Sequence, residues 1–222
     1  AKQNITRYQS EQDYLIYNAE SALVSQTASD SLAQLIPFSA DKIFDTGCFI
    51  ANDWVSFRTK ENRVEQLVRI TDVPLLGHFN RPNVLAAVAA SRLFAVESKH
   101  IVRAIRNFQP LEHRFELVGP YRGIAFYNAS IATVPEATIA HLDSLGPEVQ
   151  TLLLGGYERH LDFSELAKRL TSSQVDTLIL FPTNGPRIWE TICSQQAETP
   201  TFSPHVFFVE SMEEAVRLAY AH

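Results

Sequence analysis

The chain has 222 residues, of which 45% are hydrophobic and 20% charged, and this composition is ordinary for a folded globular protein of one large or two small domains. Its 19 basic and 25 acidic residues give a formal net charge of −6, and the scattered basic residues argue against a duplex nucleic-acid binder. Cys48 and Cys193 lack the CxxC spacing of a zinc site, and no apolar run is long enough to span a bilayer. We therefore expect a cytoplasmic protein that binds neither nucleic acid nor membranes.

Short apolar runs alternate with helical patterns in the first half of the chain. Four strands are predicted there, at residues 14–17, 35–38, 54–58 and 66–70. Three helices are predicted, at residues 21–33, 84–94 and 98–108. Residues 54–58 alternate in polarity and are expected to be half-exposed. The second helix is apolar nearly all round, which predicts burial, and the third carries Ile101, Ile105 and Phe108 on one face.

The pattern breaks at residues 109–112, and strands and helices alternate regularly after that point. A hairpin is predicted from residues 115–118 and 124–128. The later strands are predicted at residues 149–154, 175–181 and 206–209, and the helices at 135–145, 163–170, 186–194 and 212–221. Such alternation predicts a parallel sheet covered on both faces, with ligands at the carboxyl ends of its strands. Residues 128–133 and 155–162 are therefore expected to carry the chemistry.

Both of these loops contain polar residues with more than one interpretation. Thr133 and Glu136 have the spacing of a helix capping box, which the residues alone favour, although a helix N-terminus also attracts anions. The second loop begins with two glycines, which permit either a close backbone approach to a ligand or a tight turn. Asp162 is expected to cap the following helix. Arg159 is suited to bind a carboxylate or a phosphate.

Two motifs earlier in the chain also have two interpretations each. Asn80 and Asn83 stand at the start of the apolar helix, where their amides are suited to read the edge of adenine or simply to cap the helix. Arg114 lies at the predicted domain junction, where it is suited either to a ligand or to a structural ion pair.

The order of four motifs is more specific than any one of them. These are GHFNRPNVLAA at 77–87, LEHRFE at 111–116, NASIATVPEAT at 128–138 and LLLGGYERHLDFSEL at 152–166. In this order they resemble the Mur ligase family of ATP-dependent amide ligases. The resemblance implies an α/β chain that holds the C-terminal half of the central ATP-binding domain, residues 1–110, followed by a Rossmann-like parallel-sheet C-terminal domain, residues 111–222, truncated at its end. No G-x-x-x-x-G-K-[ST] phosphate loop is present, so we expect it upstream in a longer protein.

The resemblance is strongest to the branch that adds D-glutamate to UDP-N-acetylmuramoyl-L-alanine in peptidoglycan synthesis. It implies ATP and Mg²⁺ as cofactors and an acyl phosphate intermediate. By position it assigns Asn80, Asn83, Arg114 and Ser130 to the nucleotide, Thr133 and Arg159 to the incoming amino acid, and Lys2, if carbamylated, to the metal.

Two departures from the family pattern keep other functions open. Ala129 stands where the family usually has an acid that contacts the ribose, which puts tight ATP binding in doubt, and Ile131 stands where many relatives have lysine. The alternatives are a ligase that adds L-glutamate, a folylpolyglutamate-type ligase, or a non-catalytic module that binds a nucleotide or a partner. The fragment is also expected to self-associate, or to be mobile in residues 1–75, because its first half leaves an unpaired sheet edge.

Overall fold

The computed structural model describes residues 2–196 and 202–222, and of Lys2 it describes the backbone alone. The chain divides into two compact units, Ala1–Pro110 and Leu111–His222. Among the described residues, no helix has both the length and the apolar character needed to cross a membrane.

The first unit is built on a five-stranded sheet in which each strand lies beside its neighbour in sequence. The strands are β1 (Tyr14–Asn18), β2 (Gln34–Ser39), β3 (Gly47–Ala51), β4 (Trp54–Arg58) and β5 (Val64–Arg69). The pairs β1–β2 and β2–β3 are parallel, whereas β3–β4 and β4–β5 are antiparallel. The helices are α1 (Ala22–Ser29), α2 (Arg81–Leu93) and α3 (Ser98–Arg106).

The core of this unit lies between the sheet and the two later helices. The buried residues of α2 form one stripe, made of Val84, Leu85, Val88 and Ala89. The prediction that this helix is buried all round is therefore wrong, and Phe94 just beyond its end is 85% exposed. The predicted face of α3 is also only partly right. Ile101 is buried, but the helix ends at Arg106, so Phe108 leaves that face and is 45% exposed.

Two further elements of this unit differ from the sequence prediction. The strand β4 was expected to be half-exposed, yet its three central residues are buried, and Val55 and Phe57 pack in one core with the buried stripe of α2. One of those neighbours, β3, was not predicted. Helix α1 ends at Ser29 and not at residue 33, because the Ser31 hydroxyl accepts a hydrogen bond from the Ala33 N–H at 3.0 Å and turns the chain.

The second unit contains a three-stranded parallel sheet and a separate two-stranded hairpin. The sheet has the order β10–β9–β8, with β8 (Thr151–Gly155), β9 (Thr177–Phe181) and β10 (His205–Phe208). The hairpin consists of β6 (Glu116–Tyr121) and β7 (Ile124–Asn128). The helices are α4 (Pro135–Leu145), α5 (Ser164–Thr171), α6 (Gly185–Gln195) and α7 (Met212–Ala221).

Helices cover both faces of the parallel sheet, as the sequence predicts. Leu178 and Leu180 of β9 pack with residues of α4, α5 and α6 on one face. Ile179, between them, packs on the other face against Ala215 and Ala219 of α7. The side chains of β9 alternate between two apolar layers, which explains why this strand is apolar along its whole length.

The hairpin strand β7 pairs with β6 and is not part of the parallel sheet. The loop 128–133 therefore follows a hairpin strand, contrary to the expectation that it lies at the carboxyl end of a parallel strand. The loop 155–162, in contrast, does follow a strand of the parallel sheet, because β8 ends at Gly155. The rule that ligands bind at such ends applies to the second loop alone.

Candidate functional site

The two asparagines at the start of α2 form a chain of side-chain hydrogen bonds. Asn83 Nδ2 donates to Asn80 Oδ1 at 3.1 Å, and Asn80 Nδ2 donates to the Leu76 carbonyl at 2.7 Å. Asn80 occupies the N-cap position of α2, as the capping interpretation requires, but its side chain makes no capping hydrogen bond. Asn83 is exposed, and its Oδ1 accepts no hydrogen bond within the described part of the chain. An amide held in this way presents an acceptor and a donor side by side.

The first segment of the second unit is tied to the loop after β7. Asn128 Nδ2 lies 2.8 Å from His113 Nδ1, and Asn128 Oδ1 accepts from the Ser130 N–H at 3.1 Å. The His113 carbonyl accepts from the Ile131 N–H at 3.4 Å. The structure thereby brings the motif that contains Arg114 beside the motif that contains Ser130. The contribution of Asn128 and His113 was not predicted, because their contact depends on the folded hairpin.

Arg114 lies in this segment with its side chain exposed. It takes part in no ion pair among the residues that the structure describes, so the second interpretation, a structural ion pair, finds no support. The next residue, Phe115, is buried and stacks on His141 of α4 with ring centroids 4.5 Å apart. Phe115 thus fixes the backbone while the guanidinium of Arg114 remains accessible.

Thr133 does not cap helix α4. The helix begins at Pro135, its N-cap is Val134, and no side chain makes a capping hydrogen bond. The prediction of a capping box with Glu136 is wrong because Pro135 takes the first helical position, which leaves Thr133 one residue too early. Thr133 is exposed, and the first turn of an eleven-residue helix keeps its N–H groups without a side-chain acceptor.

The loop after β8 is shaped by its first two glycines. Gly155 has a φ of 126°, and a Cβ at this position would lie 2.5 Å from the Phe181 carbonyl oxygen in β9. The Gly156 carbonyl accepts from the Thr183 N–H at 2.9 Å and from the Thr183 hydroxyl at 3.1 Å. Gly155 therefore permits a close approach to the next strand, and the Gly156 carbonyl is bonded to the segment after that strand.

An ion pair with α6 holds the middle of the same loop. Arg187 Nε lies 2.9 Å from Glu158 Oε2, and Arg187 Nη2 lies 2.8 Å from Glu158 Oε1. These hydrogen bonds lower the pKa of Glu158 from its ordinary 4.5 to about 2. Arg159, the next residue, is exposed and has no ion pair in the described part of the chain. Sequence reasoning missed Glu158 and Arg187, which stand 29 positions apart without a spacing that signals a contact.

The end of this loop differs slightly from the prediction. Helix α5 begins at Ser164 with Phe163 at the N-cap, so Asp162 is not the capping residue. Asp162 nevertheless accepts from the Ser164 hydroxyl at 2.6 Å and from the Ser164 N–H at 2.9 Å. The hydrogen bonds from Ser164 lower the pKa of Asp162. The Asp162 carboxylate therefore stabilises the start of α5 through hydrogen bonds from a position one residue before the N-cap.

The Glu158 ion pair predicts a specific dependence of stability on pH. Because the folded state lowers the pKa of Glu158, its contribution is complete above pH 4.5 and is lost as the pH falls towards about 2. The melting temperature of the parent should therefore exceed that of Glu158→Gln at pH 7, and the difference should shrink below pH 4.5. Thermal scans followed by Trp189 fluorescence in a Trp54→Phe background test this, and a difference that is constant from pH 7 to pH 2.5 would contradict it.

The described side chains form no metal-binding cluster, and of the two free cysteines Cys48 is buried and Cys193 is exposed. Within residues 2–196 and 202–222, no group of three or more His, Cys, Asp or Glu is placed to hold a metal ion. Lys2, which the resemblance assigns to the metal, has its side chain outside the described part of the structure. Cys48 is buried, and burial raises the pKa of its thiol far above the ordinary range, which suits a structural residue.

Comparison with known proteins agrees with this fold and this order of motifs. A family model described as "Mur ligase, glutamate ligase domain" matches residues 113–222. The chain belongs to the Mur ligase family, as the motif order predicts. Curated relatives named UDP-N-acetylmuramoylalanine--D-glutamate ligase, from Geobacillus sp. (strain WCH70) and Acetivibrio thermocellus, are both 32% identical over 99% of this chain. The chain spans 46% and 47% of their lengths, about half of each.

Solved structures share the fold at lower identity. A MurF from Acinetobacter baumannii matches all of this chain with a TM-score of 0.70 and 16% identity, over 48% of its own length. A folylpolyglutamate synthase from Mycobacterium tuberculosis, solved with ADP, matches 90% of this chain with a TM-score of 0.60 and 13% identity, over 44% of its own length. At these identities the similarity establishes a common fold alone.

Proposed function

We propose that this chain forms part of a cytoplasmic ATP-dependent ligase that adds D-glutamate to UDP-N-acetylmuramoyl-L-alanine in peptidoglycan synthesis. The observation that carries the proposal is the similarity over 99% of the chain to relatives named for this ligation. In the proposed reaction, ATP phosphorylates the alanine carboxylate of the UDP-linked substrate. The amine of D-glutamate then attacks the acyl phosphate, an amide bond forms, and inorganic phosphate leaves.

The nucleotide is proposed to contact four residues. Asn80 and Asn83 bind adenine, because their hydrogen-bonded pair holds one amide with a free acceptor beside a donor. Arg114 neutralises the phosphates with an exposed guanidinium that has no ion pair in the described part of the chain. Ser130 lies in the loop held by Asn128 and offers its hydroxyl to the nucleotide. Ala129 offers no side-chain acceptor for the ribose, a loss of about 1 kcal/mol of binding free energy.

The incoming amino acid is proposed to bind to Thr133 and Arg159 through its carboxylate. Both side chains are exposed, and α4, which follows Thr133, has no side-chain cap. Pro135 has no N–H and the Ala137 N–H donates to the Val134 carbonyl at 3.1 Å, so the first-turn donor offered to a carboxylate is the Glu136 N–H. The guanidinium of Arg159 adds a bidentate donor that fixes the orientation of the carboxylate. These contacts hold the amino acid so that its amine reaches the acyl phosphate, and most of the rate gain in such ligations comes from positioning.

Of the residues with a proposed ligand, Lys2 alone is assigned to Mg²⁺, through a carbamylated side chain. A carbamylated lysine ends in carboxylate-like oxygens, which are the ligands that a hard cation prefers. When bound, Mg²⁺ neutralises charge on the transferring phosphate. The described residues provide no metal-binding cluster of their own, so the roles assigned to them above involve substrate contacts and no metal contact.

Phosphate release by the complete protein that contains this chain tests the proposed function. We expect release to require ATP, UDP-N-acetylmuramoyl-L-alanine and D-glutamate together. With L-glutamate we expect kcat/KM to fall at least about 100-fold, because the polar groups of a chiral site are then left without partners. Equal activity with L-glutamate would favour the alternative ligase. ATP binding by calorimetry without any phosphate release would favour a non-catalytic nucleotide-binding module.

A further inference from the structure

The side chain of Arg187 on α6 makes several contacts with the exposed loop that carries Arg159. Besides its two bonds to Glu158, Arg187 donates through Nη1 to the Leu161 carbonyl at 2.9 Å. The same guanidinium lies 4.4 Å from the centroid of the Phe163 ring, within the range of a cation–π contact. Arg187 therefore contacts the loop at Glu158, just before Arg159, and at Leu161, two residues after it. The backbone of Arg159 lies between these two contact points.

The backbone between these points has an unusual conformation. His160 has a φ of 54°, in the left-handed region that residues other than glycine adopt rarely. Its N–H donates to Glu158 Oε1 at 2.5 Å. The Glu158 carboxylate thus accepts hydrogen bonds from α6 and from the loop backbone together, and it supports the turn that presents Arg159.

Arg159 stands next to a carboxylate that does not pair with it. Glu158 Oε1 and Oε2 are both bonded to Arg187, whereas Arg159 is exposed and has no ion pair in the described part of the chain. Glu158 is ionised at neutral pH with or without Arg187, because even its ordinary pKa of 4.5 lies well below 7. An ionised carboxylate released from Arg187 would compete with any substrate carboxylate for the adjacent guanidinium.

We propose that Arg187 is a positioning residue for the amino-acid site, which occupies the Glu158 carboxylate and thereby leaves Arg159 free to bind the carboxylate of the incoming amino acid. This inference rests on the proposed role of Arg159. Arg187 acts through Glu158 and the loop backbone and does not itself contact the amino acid.

Steady-state kinetics of the complete protein separate this role from a merely structural one. Arg187→Gln is expected to raise the KM for D-glutamate about tenfold, with kcat and the KM for ATP within about twofold of the parent, because Glu158 then pairs with Arg159. Glu158→Gln/Arg187→Gln removes the competing charge and should bring that KM back to within about threefold of the parent. A double variant that is no better than the single one overturns the inference, as does a single variant with the parental KM.

Trypsin cleavage after Arg159 provides a readout that does not require catalysis. Arg187→Gln is expected to speed this cleavage about tenfold, because proteolysis follows local opening of the loop. The matched control is Arg169→Gln, which removes the 2.6 Å ion pair to Asp143 at the other end of α5 and should leave cleavage at the parental rate. A parent without D-glutamate-dependent phosphate release refutes the proposed function. Unchanged cleavage in Arg187→Gln overturns the further inference whether or not the protein is an active ligase.

Discussion

Arg159→Ala should raise the KM for D-glutamate about 100-fold while the KM for ATP stays within about twofold of the parent. The side chain is exposed, has no ion pair in the described part of the chain and follows the loop glycines at the carboxyl end of β8. Its guanidinium is free to form two charge-assisted hydrogen bonds with a carboxylate, and their loss leaves that charge uncompensated. Steady-state phosphate release at varied D-glutamate measures the effect.

Two further variants make this result specific. Arg159→Lys keeps the charge and loses the bidentate geometry, so we expect a smaller rise of about tenfold. Arg103→Ala is the matched control, because Arg103 is also an exposed arginine without an ion pair among the described residues, on α3 of the first unit. An Arg159→Ala protein with the parental KM for D-glutamate would remove Arg159 from the amino-acid site.

Gly155→Ala is expected to lower the free energy of unfolding of the second unit by about 3 kcal/mol. Two effects add, since the residue has a φ of 126° and its Cβ would lie 2.5 Å from the Phe181 carbonyl oxygen and 2.7 Å from the Phe181 nitrogen. The unfavourable backbone conformation costs about 1–2 kcal/mol, and the forced shift of a central strand costs about 1–3 kcal/mol. Urea unfolding followed by Trp189 fluorescence, in a Trp54→Phe background, reports on this unit.

Gly156→Ala is the matched control for the steric part of this effect. Gly156 has a φ of 130°, nearly that of Gly155, but a Cβ there would have no heavy atom within 4 Å. We expect its cost to be the conformational part alone, about 1–2 kcal/mol. Equal losses of stability in the two variants would show that the contact with Phe181 does not matter.

The sequence predicted well the helices and turns that are determined by residues close to them in the chain. The bounds of α4 and α7 agree with the structure, because Pro135 fixes one helix start and the Ser211 hydroxyl accepts from the Glu214 N–H at 3.2 Å at the other. The hairpin was also predicted, but β6 runs on to Tyr121, and the turn consists of Arg122 and Gly123 with positive φ values of 52° and 85°. Each of these signals lies within a few residues of the element that it determines.

Features that depend on distant partners could not be predicted from the sequence. The strand β3 is only five residues long, and it is defined by its pairing with β2 and β4 on either side. The separation of β7 from the parallel sheet is likewise a matter of pairing, which the strand's own residues do not encode. At the candidate site, the order of motifs indicated Arg159 by resemblance. Its setting between Glu158 and Arg187 required the folded loop.

The strand order of the first unit has a consequence for how that unit folds. Each of the four strands after β1 pairs with the strand that precedes it in the sequence. Loop closures are therefore short, the contact order of this sheet is low, and its formation should be fast. During synthesis from the N-terminus, each new strand meets a partner that has already left the ribosome, so the sheet can extend one strand at a time. Its apolar face is covered last, when α2 and α3 emerge.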